Sequence, residues 1–180
     1  MPAEERQIYS INNNKKHKIM PNHIYQKLRI DNWNDEKALT NLKKQIFNEK
    51  DELDFSKIIP QPENIFNGNL GEKEKQMCIE EGRPNCYDWN RENWNTKRGA
   101  YSFELNEDDE NTLSFNFQTA WNIPTPIMNK IFELAKGCDI KYLAVDEGGY
   151  FAVSVTVDEE GNEIEKDLKE HCNELLFAMD

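Results

Sequence analysis

The ten residues 88–97 hold Trp89, Trp94, Asn90, Asn93, Asn95, Arg91 and Lys97. Indoles, amides and cations at this density suit recognition, in which flat rings stack on a ligand or partner and amides bond its polar edge. If the segment opens as a helix, Trp89 and Asn93 share one face, and Asn90 and Trp94 share the next. The same residues also suit anchoring, with indoles pinning a long loop to a core and amides satisfying its backbone. Anchoring is the commoner use of large aromatics. Trp121, before Pro124, reads the same way, with core or hinge packing ahead of ligand stacking.

Two carboxylate clusters carry a different chemistry. Glu107, Asp108, Asp109 and Glu110 are consecutive, and so are Asp158, Glu159 and Glu160. Glu107–Glu110 lacks the one-three-five spacing and glycine of a calcium loop and reads as a solvated hairpin tip that can present charge to a partner, and Asp158–Glu160 reads as a solvated face with the same use. Beyond them, Glu165–Lys169 and Lys166–Glu170 form i,i+4 pairs, the mark of an exposed helix.

Nucleophilic and metal chemistry find little footing. Cys78, Cys86, Cys138 and Cys172 are far apart, with no CxxC and no adjacent histidine pair. They read as free buried thiols of a reducing compartment. Of the three histidines, His17 and His171 suit solvent and only His23 opens a structured element. No catalytic set, metal site or cofactor is expected. An enzyme would need Asp88, Lys97 and His23 in one cleft.

These groups must be positioned by regular elements. Ile24, Gln26, Leu28 and Ile30 alternate on one face of a strand over residues 23–30. A helix capped by Asn34 or Asp35 follows to about Glu49, with Ala38, Leu39, Leu42 and Ile46 on one face. Residues 53–62, with two prolines, predict an extended piece. Scattered glycines, with helical pulses over 73–81 and 88–94, mark an insertion over about 50–98. Two strands, 100–105 and 112–121, flank an acidic turn over 106–111, and the second alternates Leu113, Phe115, Phe117 and Thr119 inward. A helix starts near Pro124 and stops at Gly137. A second hairpin, 140–145 and 150–157, turns at Asp146-Glu147-Gly148-Gly149. Residues 158–180 read as an acidic C-terminal helix with Leu168, Cys172, Leu175 and Leu176 on its apolar side. Its own domain or a second copy of the chain, as a homodimer, could cover that stripe.

The series is β-α-β-β-α-β, the ferredoxin-like α+β fold: an antiparallel sheet with two helices on one face, here with an inserted Trp-rich segment and a C-terminal helix. Residues 1–19 read as a flexible extension and 20–157 as the domain.

The chain of 180 residues carries 34 acidic against 22 basic residues, a net charge of -12. Residues 1–60 hold 11 Lys or Arg against 9 Asp or Glu, and residues 61–180 hold 11 against 25, so the first third is +2 and the rest -14. That field repels phosphate backbones and makes nucleic acid an unlikely partner. Phe115 and Phe117 invite comparison with RNA-stacking sheets, but the [KR]-G-[FY]-[GA]-[FY] motif is missing. No apolar run reaches membrane-span length and no signal segment opens the chain, so the expectation is a cytoplasmic protein without membrane contact.

Several pieces together resemble the YubB-type ferredoxin-like family of phage, plasmid and mobile-element proteins. They are Met20-Pro21-Asn22-His23, Ile59-Pro60-Gln61-Pro62, Cys86-Tyr87-Asp88-Trp89, Asn93-Trp94-Asn95-Thr96-Lys97 and Gln118-Thr119-Ala120-Trp121. The resemblance spans about residues 20–157. The family usually carries Gly at the position of Asn95 and Trp-Asp or Trp-Asn at Arg98-Gly99. It implies a fold and a mobile-element origin, and it transfers no catalytic residue.

The expectation is a non-enzymatic binding protein that inhibits a host nucleic-acid-dependent defence protein, in the manner of an anti-CRISPR, through an acidic surface. Its partner would be a host protein with a basic surface. The candidate partner-binding residues are Trp89, Asn93, Trp94, Lys97, Glu107, Asp108, Asp109, Glu110, Asp158, Glu159 and Glu160. A nucleic-acid module using Lys97, Arg98 and Trp94, or an enzyme of unknown reaction, is the alternative.

Overall fold

The computed structural model describes residues 22–33 and 35–178, with only the backbone of Glu36. The extension over 1–19, its His17, and Asn34 as an alternative cap lie outside the described residues.

Strand β1 (His23–Asp31) buries Ile24, Leu28 and Ile30 completely, as its alternation predicts. Gln26 is the polar member of that buried row. Its Nε2 donates to Thr119 Oγ1 at 2.7 Å, and its Oε1 accepts from the Tyr142 hydroxyl at 2.6 Å, so the amide is satisfied inside the core. Asp35 caps α1 (Glu36–Ile46) by accepting from Lys37 N. This helix stops three residues before the expected Glu49, because Phe47 turns back to bridge Leu53 and Ile46 O accepts from Asp54 N.

The stretch expected to be extended instead holds a short helix, α2 (Phe55–Ile58), because the Asp54 side chain accepts from Ser56 N. Helices α3 (Glu72–Glu80) and α4 (Cys86–Trp94) fall on the two helical pulses expected over 73–81 and 88–94. Strands β2 (Tyr101–Asp108) and β3 (Thr112–Ala120) form the first hairpin. Then come α5 (Thr125–Leu134), β4 (Asp139–Asp146) and β5 (Ala152–Val157).

The six-stranded sheet runs β2-β3-β1-β4-β5 and ends on a further strand, β6 (Glu163–Asp167). β1 pairs antiparallel with both β3 and β4, so the first strand is central, as a ferredoxin-like fold requires. The acidic helix expected from residue 158 is therefore corrected. Residues 163–167 pair with β5, and a helix begins only at α6 (Cys172–Phe177), after a 3-10 turn at Lys169–His171. All five side chains of β6 are exposed, so no buried period betrays the strand, and its charges protect the sheet edge. At the other edge, two irregularities in the β2–β3 register blunt β2.

One sheet face carries the core, where Phe47, Phe55, Phe115, Phe117 and Trp94 meet in edge-on or tilted pairs against α1, α2 and α5. On the other face, Cys172, Leu168, Leu175 and Leu176 pack on Leu143, Val145 and Ala152. The apolar stripe near the C-terminus is thus covered by its own domain.

Candidate functional site

Sheet register gathers the charged residues. β2 ends, β3 begins, β1 ends, β4 begins, β5 ends and β6 begins at one and the same end of the sheet. The turn after Asp108 and the turn after Val157, nearly fifty residues apart in sequence, therefore lie on one rim, at its opposite edges with β1 and β4 between them. With strands about 4.8 Å apart, that rim is about 24 Å wide.

The rim carboxylates divide by occupation. Glu107 and Asp108 lie in strand β2 and not in the expected turn. Glu107 meets Arg29 at 2.5 Å, and Asp108 meets Lys43 at 2.7 Å. Arg29 also holds Asp31 at 2.9 Å. Burial alone would raise the Asp31 carboxyl, but hydrogen bonds from Arg29 and Thr112 hold it below the usual carboxylate range. Asp109 caps its own turn by accepting from Asn111 N and Thr112 N. Asp158 does likewise, and the side chain and backbone N–H of Asn162 lower its carboxyl. Glu110, Glu159 and Glu160 are exposed and have no cation partner among the described residues. Of the seven predicted acidic residues, these three offer uncommitted charge.

The tryptophans are sorted differently from expectation. Trp94 is 3% exposed, its Nε1 donates to Ile59 O at 3.0 Å, and its ring meets Phe55 edge-on. It is a core residue and is corrected as a partner contact. Trp89 is half-buried edge-on against Trp94, and Asn93 donates back to Trp89 O within the helix. Asn90 is buried, accepts from Gln61 Nε2 and donates to Lys97 O. These groups fasten α4 and the segment around it to the core. Asn95 ends α4 at φ 63°, the left-handed conformation that favours glycine. Asn is the side chain that tolerates this region best.

Lys97 stays available. Its ammonium lies over the Tyr87 ring at 4.1 Å and has no carboxylate partner among the described residues, and neither does Arg98. Both line a polar groove of about 790 Å³ with Tyr87, Asn90, Tyr101 and Gln61. Trp121, assigned by sequence to packing, is instead 49% exposed. Its signal in the sequence was only its place just past a strand.

Among the described residues, Asp88, Lys97 and His23 do not share one cleft. His23 Nδ1 lies 2.7 Å from the Tyr101 hydroxyl and its backbone N–H donates to Glu147, whereas Asp88 meets Asn85 and Arg91. Lys97 is over Tyr87, so the three have separate surroundings. Burial, with Glu147 and Tyr25 nearby, pushes the Tyr101 phenol up to about 12. All four cysteines are free and buried, and burial pushes the Cys138 thiol up to about 11. Such thiols are poor nucleophiles. Among the described residues no cluster of three metal-ligating side chains occurs, and no helix is long and apolar enough to cross a membrane.

With this geometry in place, comparison with known proteins adds the following. Residues 100–175 match the family model described as the ferredoxin-like domain in Api92-like protein. Over that stretch the chain is similar to the Api92-like ferredoxin-like domain. The match takes in β2 through β6 and omits β1, although β1 separates β3 from β4 in the sheet. The crystal structure of a protein Api92 from Yersinia pseudotuberculosis is similar at a TM-score of 0.41 and 12% identity, covering 48% of this chain and 31% of that one. The chain thus spans under a third of that relative. No curated protein matches it.

Proposed function

We propose that this is a non-enzymatic binding protein of a phage or related mobile element, and that its acidic sheet end docks on the basic, nucleic-acid-contacting surface of a host defence protein. The observation that supports this reading is that two sequence-distant acidic turns face the same end of the sheet, one at each edge, with Glu110, Glu159 and Glu160 left uncommitted. The YubB-type resemblance over residues 20–157 supplies the mobile-element part. Charge complementarity steers such an encounter and makes it sensitive to salt. A surface of this kind works by occupying the site where a polyanion would lie.

The test is capture from host lysate on the immobilised full-length protein at low and moderate salt, read by mass spectrometry. Wild type should retain a basic nucleic-acid enzyme that salt releases, and the triple variant Glu110→Gln/Glu159→Gln/Glu160→Gln should not. Equal retention by both proteins, or none by wild type, overturns the reading.

A further inference from the structure

Trp121 stands at the opposite end of the sheet from the acidic rim, and its setting is unusual in three respects. It is the most exposed of the described indoles, with 49% of its surface open where Trp33 and Trp94 show 8% and 3%. Its φ is 75°, a left-handed backbone that is strained for a bulky L residue. The chain on both sides is pinned: Trp121 N donates to Asn22 O at 2.8 Å, and Asn95 Nδ2 donates to Ile123 O at 2.9 Å. Thr119 Oγ1 donates to Asn122 O at 2.7 Å and itself accepts from buried Gln26, which Tyr142 holds in turn. A chain of hydrogen bonds thus runs from the core into the loop and holds a strained, open indole in place.

Trp121 lines a cleft of about 310 Å³ with Arg91, Asn95, Lys97, Ala120 and Asn122. Each wall offers one chemistry. The indole supplies a flat π surface. Lys97 supplies a cation without a carboxylate partner among the described residues, and Arg91 is tied only to exposed Asp88 at 3.4 Å. The Asn122 side-chain amide makes no hydrogen bond among the described residues, so it can both donate and accept. A planar ring with polar edges that also carries negative charge uses all of these at once, and a nucleobase joined to a phosphate is that ligand.

We propose that this cleft binds a single nucleotide, its base stacked on Trp121 and edged by Asn122, its phosphate between Arg91 and Lys97. The volume is at the lower end of small-molecule sites and holds one such unit. The net charge of -12 does not forbid it. The acidic rim lies the length of β1 away, about 27 Å, or roughly three Debye lengths at physiological salt. A long polyanion would run into that field, and one phosphate stays outside it. This site is independent of the acidic surface.

The experiment is calorimetry with two-dimensional NMR on the full chain, titrating AMP, GMP, CMP and UMP, then adenosine, inorganic phosphate and a short oligothymidylate. A mononucleotide should bind and shift the Trp121 indole N–H signal, with adenosine and phosphate each weaker. Trp121→Gly keeps the backbone conformation and removes the ring, and it should weaken binding by at least about tenfold. Lys97→Gln should weaken it and reduce its salt dependence. Oligothymidylate binding through the same signal more tightly than UMP would assign the site to a strand terminus; weaker binding assigns it to free nucleotide. If Trp121→Gly does not fold, the wild-type shift map and Lys97→Gln still decide. No binding at millimolar nucleotide, shifts confined to other indoles, or a Lys97→Gln protein that binds like wild type overturns the proposal.

Discussion

The two ends of the sheet differ in how their functional groups are held. At the rim where β1 ends, charge is carried on turns whose carboxylates either cap their own loops or point freely into solvent. At the end where β1 begins, Trp121 is fixed by hydrogen bonds traceable to the buried Gln26. One end offers a diffuse field and the other a shaped cleft. A field tolerates motion and is suited to a broad basic partner, whereas a cleft requires positions held within fractions of an ångström.

The largest effect expected is on the fastening of the cleft. Trp94→Ala should cost about 3–5 kcal/mol in urea denaturation, and hydrogen exchange should rise in α4 while the rim turns keep their protection. Equal loosening at both ends would break the contrast. Next, Tyr142→Phe leaves Gln26 Oε1 without its buried donor and should cost about 1–3 kcal/mol, with faster exchange at Asn122 than at Asp109. At Trp121 itself, the Gly variant should be more stable than the Ala variant by about 1 kcal/mol, since only glycine relaxes at φ 75°. An Ala variant that is the more stable would remove the strain from the account.

The rim effects are smaller. The Asp31 carboxyl is lower in the folded protein than in the unfolded chain, so its contribution is present above the ordinary carboxylate pKa near 4 and is lost as pH falls through the folded value. The Arg29→Met protein should lose at most about 1 kcal/mol at neutral pH, and its urea midpoint should fall less steeply on acidification. The smallest change is expected for Glu110→Gln/Glu159→Gln/Glu160→Gln, within about 0.5 kcal/mol per site, although this variant is the one that should abolish partner capture.

Much of the frame was legible in the residues. The period of two in β1 and β3, the one-sided apolar stripe of α1 and the glycines of the hairpin turns are local patterns, and local backbone sterics read them without help. The misreadings differ in cause. The segment 163–167 shows helix-like charge spacing and buries no side chain, so only its backbone pairing with β5 makes it a strand. Asp54 turned an extended-looking segment into a helix through one cap.

For the candidate sites the division is sharper. The order of residues already determined that the chain would be acidic and where along it the carboxylates and indoles lie. Tertiary structure alone decided that two distant acidic turns share a rim, that Trp94 goes inward and that Trp121 stays open. The physical reason is range. Charge and periodicity are properties of neighbours in sequence, whereas strand order and burial depend on which distant segments complete the same sheet and core.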